Sequence, residues 1–254
     1  MRPSLVRITV AVALALLCHP ARALTFKQQQ LRHAHVQAAY RDKEAAVKKL
    51  LADKGVAYPP GRLFIRVFKR EGRLELWAAS RPAERLSLVA TYAICAASGD
   101  LGPKRRRGDG QVPEGFYRIN HFNPSSTFYL SLGVSYPNRS DVLRKTGRDP
   151  GGAIYIHGDC VTIGCMPLTD DRIKEVYVAA LEASDQNRRE IPVHIFPCRM
   201  DSAGMAALRA EFNGDRELLD FWAELKPGYD RFERDRTVPK AAISAKGKYL
   251  FPGN

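Results

Sequence analysis

A chain of 254 residues, 45% of them apolar, can bury one substantial core, and that length suits a single domain with appendages better than two complete domains. Its 40 Lys and Arg against 27 Asp and Glu give a formal net charge of +13, which points to an anionic partner: a cell-wall polymer, a membrane surface or nucleic acid. Nucleic acid fits least, because no binding motif is present and the only tight basic run, Lys104 to Arg107, is of the kind that usually forms a solvated loop.

The first 23 residues read as a secretory signal peptide. "MRPSLVR" is short and basic, "ITVAVALALLC" is apolar, and "ARA" ending at Ala23 is a small-x-small cleavage pattern. The apolar run falls short of the ~20 residues needed to cross a bilayer, so no stable membrane span is expected. Cys18 raises a lipoprotein anchor, but Leu17 stands where such a site wants a small residue. Cleavage removes Arg2, Arg7 and Arg22, lowers the charge from +13 to +10, and sends the product to the periplasm or cell envelope. Four cysteines then remain, Cys95, Cys160, Cys165 and Cys198. An even count in an oxidising compartment argues first for disulfides, although a chain this long does not need staples, which leaves room for a functional thiol.

Residues 24–61 read as an N-terminal helical segment. Thr25 is the expected cap, Leu31, Val36, Tyr40, Val47, Leu50 and Leu51 recur at helical spacing to about Asp53, and Gly55 and "YPPG" stop the run. The period then changes to that of strands at 62–69, 73–79 and 87–96, the first two joined by a turn at Glu71-Gly72. The connection from Ser98 to Gly115, with five glycines and two prolines, is expected to be a surface loop with little to bury. Further strands are expected at 116–119, 128–134 and 153–157, with a second Gly/Pro-rich loop between the last two. Thr169 caps a helix that begins with Asp170 and Asp171, where acidic residues complement the helix dipole, and "IPVHIFP" at 191–197 is a last strand. Residues 200–254 read as an extension of two short helices, "SAGMAALRAEF" and "DRELLDFWAEL", and a basic tail. The fold class is mostly β within an α+β arrangement.

Chemistry concentrates in "IYIHGDCVTIGC", residues 154–165. His157 ends a strand and Cys165 precedes a capped helix, whose positive end is expected to lower the thiol pKa. If the intervening loop folds back, His157 reaches Cys165 as its base, and the N–H groups of Gly164 and Cys165 become candidate donors to an oxyanion. Three other readings compete: a zinc site of His157, Asp159, Cys160 and Cys165, whose spacing lacks the paired knuckles of structural zinc; a Cys160–Cys165 disulfide; and two small buried residues. His121 and His194, in strand-like contexts, are expected to be structural or exposed.

The stretch resembles the catalytic signature of the L,D-transpeptidases, the YkuD-like family, in particular its YafK-like branch. The resemblance runs over roughly residues 62–199, through "GDGQVPEGFYRI" (108–119), "SLGVSYPNRSD" (131–141), "GGAIYIHG" (151–158) and "TIGCMPLTD" (162–170). It implies a YkuD-like β-sandwich or barrel core, with Cys165 as nucleophile, His157 as base, and Gly158 (through its carbonyl) or Asp159 (through its side chain) orienting the histidine. The commoner members carry a Ser/Thr-His-Gly-Cys run; here Ile163 precedes Gly164, so the second histidine is missing. Tyr136 and Arg148, in loops beside the signature, are candidate substrate contacts, with a packed Tyr136 and a solvated Arg148 as the plainer alternative. The implied reaction is attack of Cys165 on the carbonyl at the L-centre of meso-diaminopimelate in a peptidoglycan stem peptide. D-alanine leaves, and an amine of another stem or of a wall-attached envelope protein takes the acyl group. No metal or organic cofactor is needed. The alternatives are a hydrolase of the same fold, cutting crosslinks or releasing wall-attached protein, and a non-catalytic wall-binding protein with a zinc or disulfide knot at 157–165.

Overall fold

The computed structural model describes residues 23–187 and 190–253, so the signal peptide expected at 1–23 lies, but for Ala23, outside the described residues. Thr25 caps α1 (Phe26–Gln30) in a reciprocal box with Gln28, as the sequence led us to expect. The single helix expected from Thr25 to Asp53 is nevertheless two, because α2 (Ala34–Ala52) starts after a break at 31–33. Tertiary partners explain the break. Gln30 is buried and accepts a 2.6 Å bond from the Tyr177 hydroxyl, while the rings of His33 and His35 reach Ser125 Oγ (3.2 Å) and the Tyr129 carbonyl (2.8 Å).

Strands β1 (Arg62–Phe68), β2 (Arg73–Ala79), β3 (Ser87–Ala93), β4 (Gly115–Ser126), β5 (Tyr129–Val134), β6 (Tyr155–His157), β7 (Met166–Pro167) and β8 (Pro192–Phe196) form one eight-stranded sheet in the order β3-β2-β1-β8-β4-β5-β6-β7. The β1–β8 and β6–β7 pairs are parallel and the rest antiparallel. β4 is three times the length expected. Its first residues pair with β8 and its later ones with β5, with register breaks between Ile119 and His121 and between Asn123 and Ser126. A strand that changes partners across a bulge bends the sheet, and the polar "NHFNPSS" run hides such a strand from any alternation rule.

β1 is buried on both faces, and its alternate residues take opposite sides. Leu63, Ile65 and Val67 join the cluster of α2 and α4 (Asp170–Asn187), while Phe64 and Phe68 meet Phe232 and Tyr229 of α6 (Arg216–Asp235). The molecule is therefore a mixed α+β structure with helices on both faces of the sheet. α3 (Arg139–Leu143), unforeseen within a loop, is started by Asn138 in a capping box with Asp141. α5 (Ser202–Glu211) is as expected, but α6 continues ten residues past the predicted end at Leu225, through Pro227. The face of Phe221, Trp222, Leu225, Tyr229 and Phe232 is buried, and that burial outweighs the one backbone bond proline removes. The basic tail closes as a hairpin of β9 (Ala242–Ile243) and β10 (Tyr249–Leu250), with Tyr249 buried against Phe116.

The Ser98–Gly115 connection is not the mere surface loop expected. Lys104, Val112 and Glu114 within it are buried. Asp109 gathers the turn by accepting from the N–H groups of Arg105, Arg106 and Gln111 and from Lys104 Nζ. Glu114 accepts from Gly102 N–H (2.7 Å), Lys69 Nζ (3.0 Å) and Trp222 Nε1 (2.7 Å), which fastens α6 to the loop. Among the described residues no helix is long and apolar enough to cross a membrane.

Candidate active site

His157 ends β6, and Cys165 stands one residue before β7. Ile156 lies opposite Met166 and His157 opposite Pro167. Side chains alternate along a strand, so Ile156 and Met166 enter the core while His157 and Cys165 fall together on the other face of the ladder. The register therefore turns two residues that the loop 158–164 separates in sequence to one face of the ladder.

His157 is 1% exposed, and the ring of Phe128, at the tip of the β4–β5 hairpin, lies over it with centroids 4.7 Å apart. Its Nδ1 is 2.5 Å from the Gly158 carbonyl. A carbonyl only accepts, so Nδ1 carries the proton and Nε2 is left with the lone pair. Of the two candidate orienting residues, Gly158 is thus the one bonded to the ring. Asp159 is exposed, turned to φ +60°, and its N–H donates to Asp170 Oδ1. Gly158 has no room for a side chain, since a Cβ there would come within 2.6 Å of that same Asp170 oxygen.

Cys165 is a free thiol, its Sγ 3.6 Å from the Ala153 carbonyl. The disulfide pairs Cys95 with Cys160, which corrects the Cys160–Cys165 reading and removes one ligand from the zinc reading. Among the described residues no group of three or more His, Cys, Asp and Glu side chains is placed to hold a metal ion. Cys198 is a buried free thiol. The disulfide and the Cys95 N–H bond to the Pro167 carbonyl (3.1 Å) tie the end of β3 to the loop that carries His157 and Cys165.

The short β7 intervenes between Cys165 and the first turn of α4, and the expected lowering of the thiol pKa is not found. Burial pushes the Cys165 thiol up, opposed by a backbone hydrogen bond at Tyr155 and the positive charge of Lys104. Burial likewise holds His157 below the usual histidine range, against its bond to Gly158 and the charge of Asp159. Both shifts favour the neutral forms of thiol and imidazole.

The two expected oxyanion donors are engaged. Gly164 N–H donates to Ser98 Oγ at 2.6 Å, and Cys165 N–H donates to Thr162 Oγ1 at 2.9 Å. Gly164 has φ +88°, and a Cβ there would meet the Gln111 carbonyl at 3.0 Å, so glycine is required on both counts. Cys165 lines a cavity of about 720 Å³, together with Lys69, Ile94, Ser98, Gln111, Phe212 and Leu218 among others; His157 does not line it. Tyr136 does not line it either. It is buried, and its hydroxyl faces the carbonyls of Pro150 (2.9 Å) and Lys104 (3.3 Å), so it fastens the two long loops together. Arg148 is exposed, as are Val161 and Ile163 on the rim of the loop. His121 is exposed on β4, and His194 is buried between Phe64 and Phe116.

Residues 62–195 match the family profile of the L,D-transpeptidase catalytic domain. The chain belongs to the L,D-transpeptidase family. It is 37% identical over 190 residues to YafK of Escherichia coli K12, an L,D-transpeptidase by name, covering 74% of this chain and 73% of that one. Among solved structures it is similar to the helical cell shape determining protein Pgp2 of Campylobacter jejuni (16% identity, 83% and 82% of the two chains, TM-score 0.43) and to Bd1075 of Bdellovibrio bacteriovorus (20%, 76% and 68%, TM-score 0.39). L,D-transpeptidase 1 of Mycobacterium tuberculosis matches over 53% of this chain and 61% of its own, at 12% identity and a TM-score of 0.29. The profile of the L,D-transpeptidase domain runs from the start of β1 to within one residue of the end of β8 and takes in both His157 and Cys165.

Sequence reading missed Ser98, Phe128, Thr162 and Glu114. Nothing local marks them: a serine in a glycine-rich loop, a phenylalanine at a hairpin tip, a threonine and a glutamate carry no motif.

Proposed function

We propose that this protein is a cysteine acyltransferase that acts on peptidoglycan stem peptides and reaches the periplasm by the signal peptide at 1–23, with 62–199 as its catalytic unit between the segments 24–61 and 200–254. The observation that carries the reading is a free thiol, Cys165, opening on a cavity and sharing a strand face with a histidine whose Nδ1 is fixed by a carbonyl. The neutral pair defines the order of events. Nε2 of His157 takes the thiol proton as Sγ bonds to the substrate carbonyl carbon, and the carbonyl pair moves onto oxygen. Collapse of that intermediate expels the D-alanine amine, which takes the proton from His157, and leaves a thioester on Cys165. An amine of a second stem, or of a lysine in an envelope protein, then attacks the thioester with His157 again accepting the proton; the S–C bond breaks, and Cys165 Sγ leaves and takes that proton back. Water in place of the amine makes the same site a hydrolase, and the exposed Val161 and Ile163 leave the loop before Cys165 open to either acceptor. The exposed Arg106 and Arg148 supply positive charge for stem-peptide carboxylates, whereas Lys104 is taken up by Asp109 and Arg107 by Asp149.

The test is incubation of wild type and Cys165→Ala with peptidoglycan, followed by muropeptide analysis. New 3→3 dimers in the wild type alone establish transfer; loss of dimers or release of attached protein establishes hydrolysis. Identical products from the two proteins would sink the nucleophile assignment.

A further inference from the structure

The question left by the site is how an oxyanion is held when both backbone donors expected for it are already bonded. Cys165 N–H and the Cys165 carbonyl are both bonded to one hydroxyl, Thr162 Oγ1, at 2.9 and 3.0 Å. That hydroxyl accepts from the first and donates its only proton to the second, so it has nothing left to give an incoming oxygen.

Ser98 differs. Its Oγ accepts from Gly164 N–H at 2.6 Å, yet no described residue receives its own proton. The side chain is half-buried and lines the same cavity as Cys165. An O–H whose oxygen accepts a short bond from a backbone amide is a better donor than a free one, because hydrogen bonds in a chain polarise one another.

Its placement is not left to a mobile loop. Cys95, three residues ahead of Ser98, is bonded covalently to Cys160 in the nucleophile loop, and Cys95 N–H donates to the Pro167 carbonyl two residues beyond Cys165. Beyond Ser98 the chain turns at Gly99 (φ +68°) and is fastened by Asp100, whose N–H donates to Gln111 Oε1. Ser98 is thus held from both sides against the residue before the nucleophile.

We infer that Ser98 is a catalytic residue, whose hydroxyl donates to the oxyanion formed when Cys165 attacks a carbonyl. The inference rests on the reading of Cys165 as nucleophile and names the donor that reading lacks. Gly164 N–H then acts through Ser98, as a relay. No bond to Ser98 forms or breaks: the carbonyl pair moves to oxygen as the S–C bond forms, Ser98 O–H stabilises that charge, and the pair returns when the leaving group departs.

The experiment separates reactions that make an oxyanion from one that does not. The full-length protein, Ser98→Ala, Ser98→Thr and Cys165→Ala are each exposed to p-nitrophenyl acetate, to a tetrapeptide stem ending in D-alanine, and to iodoacetamide. Acylation of Cys165 is followed by intact mass and p-nitrophenol release; alkylation passes through substitution at a saturated carbon and forms no oxyanion. Ser98→Ala is expected to acylate on the order of 10²-fold more slowly with both acyl donors, the cost of one oxyanion donor, while its alkylation stays within about twofold of wild type. Ser98→Thr, which keeps the hydroxyl, is expected to recover most of the acylation rate. The inference is overturned if Ser98→Ala acylates as fast as wild type, or faster because the serine only occupies Gly164 N–H. It is equally overturned if acylation and alkylation fall together, which would make Ser98 a support for the thiol. Wild type that takes acetyl but never the stem peptide would refute the peptidoglycan reading, with the ester arm still deciding the role of Ser98.

Discussion

The surroundings of His157 and the cavity on which Cys165 opens are built in opposite ways. The histidine is served by a short run of chain. Gly158 fixes Nδ1, Phe128 covers the ring, and β5 and β7 hold the strand from either side. The cavity draws on β1, the end of β3, the Ser98–Gly115 loop and the helices of the C-terminal extension, from Val67 to Leu218. One environment sets protonation; the other is a space walled by distant parts of the chain. A local device of this kind survives changes elsewhere in the fold, whereas a wall assembled from distant segments changes with any one of them.

Four experiments test that contrast, in falling order of expected effect. His157→Gln keeps the size of the side chain and removes the base, so acylation of Cys165 should fall by about 10²- to 10⁴-fold with substrate binding retained. A loss in KM alone would place the histidine outside the chemistry. Replacing Cys95 and Cys160 together by serine frees the tie between β3 and the nucleophile loop, a closed loop of sequence separation 65. Denaturant unfolding should register a loss of about 2–4 kcal/mol, and an unchanged midpoint would mean that the disulfide contributes nothing to folding.

Leu218→Trp fills the cavity from α6 without touching either member of the proposed pair. KM for the stem peptide is expected to rise about tenfold with kcat little changed; a pure kcat effect would dissolve the division between chemistry and binding. The smallest effect belongs to Phe128→Ala. The ring helps bury His157, and burial holds its pKa below the usual value. Exposing the imidazole raises that pKa toward the usual histidine value, so the acid limb of the acylation profile should move to higher pH. A base must be neutral to accept a proton, so the variant loses activity on the acid side and matches wild type well above pH 7. A limb that stays in place would show that the covering ring does not set the protonation of His157.

These two regions were also unequally legible before folding. The histidine and the cysteine are eight positions apart, with a strand pattern before one and a capped helix after the other, so both stood out. The direction of the thiol pKa did not, because the burial that raises it is set by packing from distant segments and not by the spacing to the helix. Ser98 and Glu114 sit in a glycine-rich stretch that reads as surface, yet Glu114 is fully buried by Lys69 and Trp222, which lie 45 positions before it and 108 after. β4 and α6 were both underestimated for a related reason. Polar residues and a proline argue against them locally, and burial against distant elements overrides that argument.

What the sequence determined by itself was the place of most strands and of the helices at the two ends, with His157 and Cys165 singled out as candidates, because those signals depend on spacing within a few turns of chain. Which cysteine bonds which, which carbonyl holds the histidine, which hydroxyl accepts from Gly164 N–H and which helices wall the cavity were decided by the sheet. Its strand order sets β3, β6 and the C-terminal helices around one thiol, and no local pattern encodes where residues 60 or 100 positions away will pack.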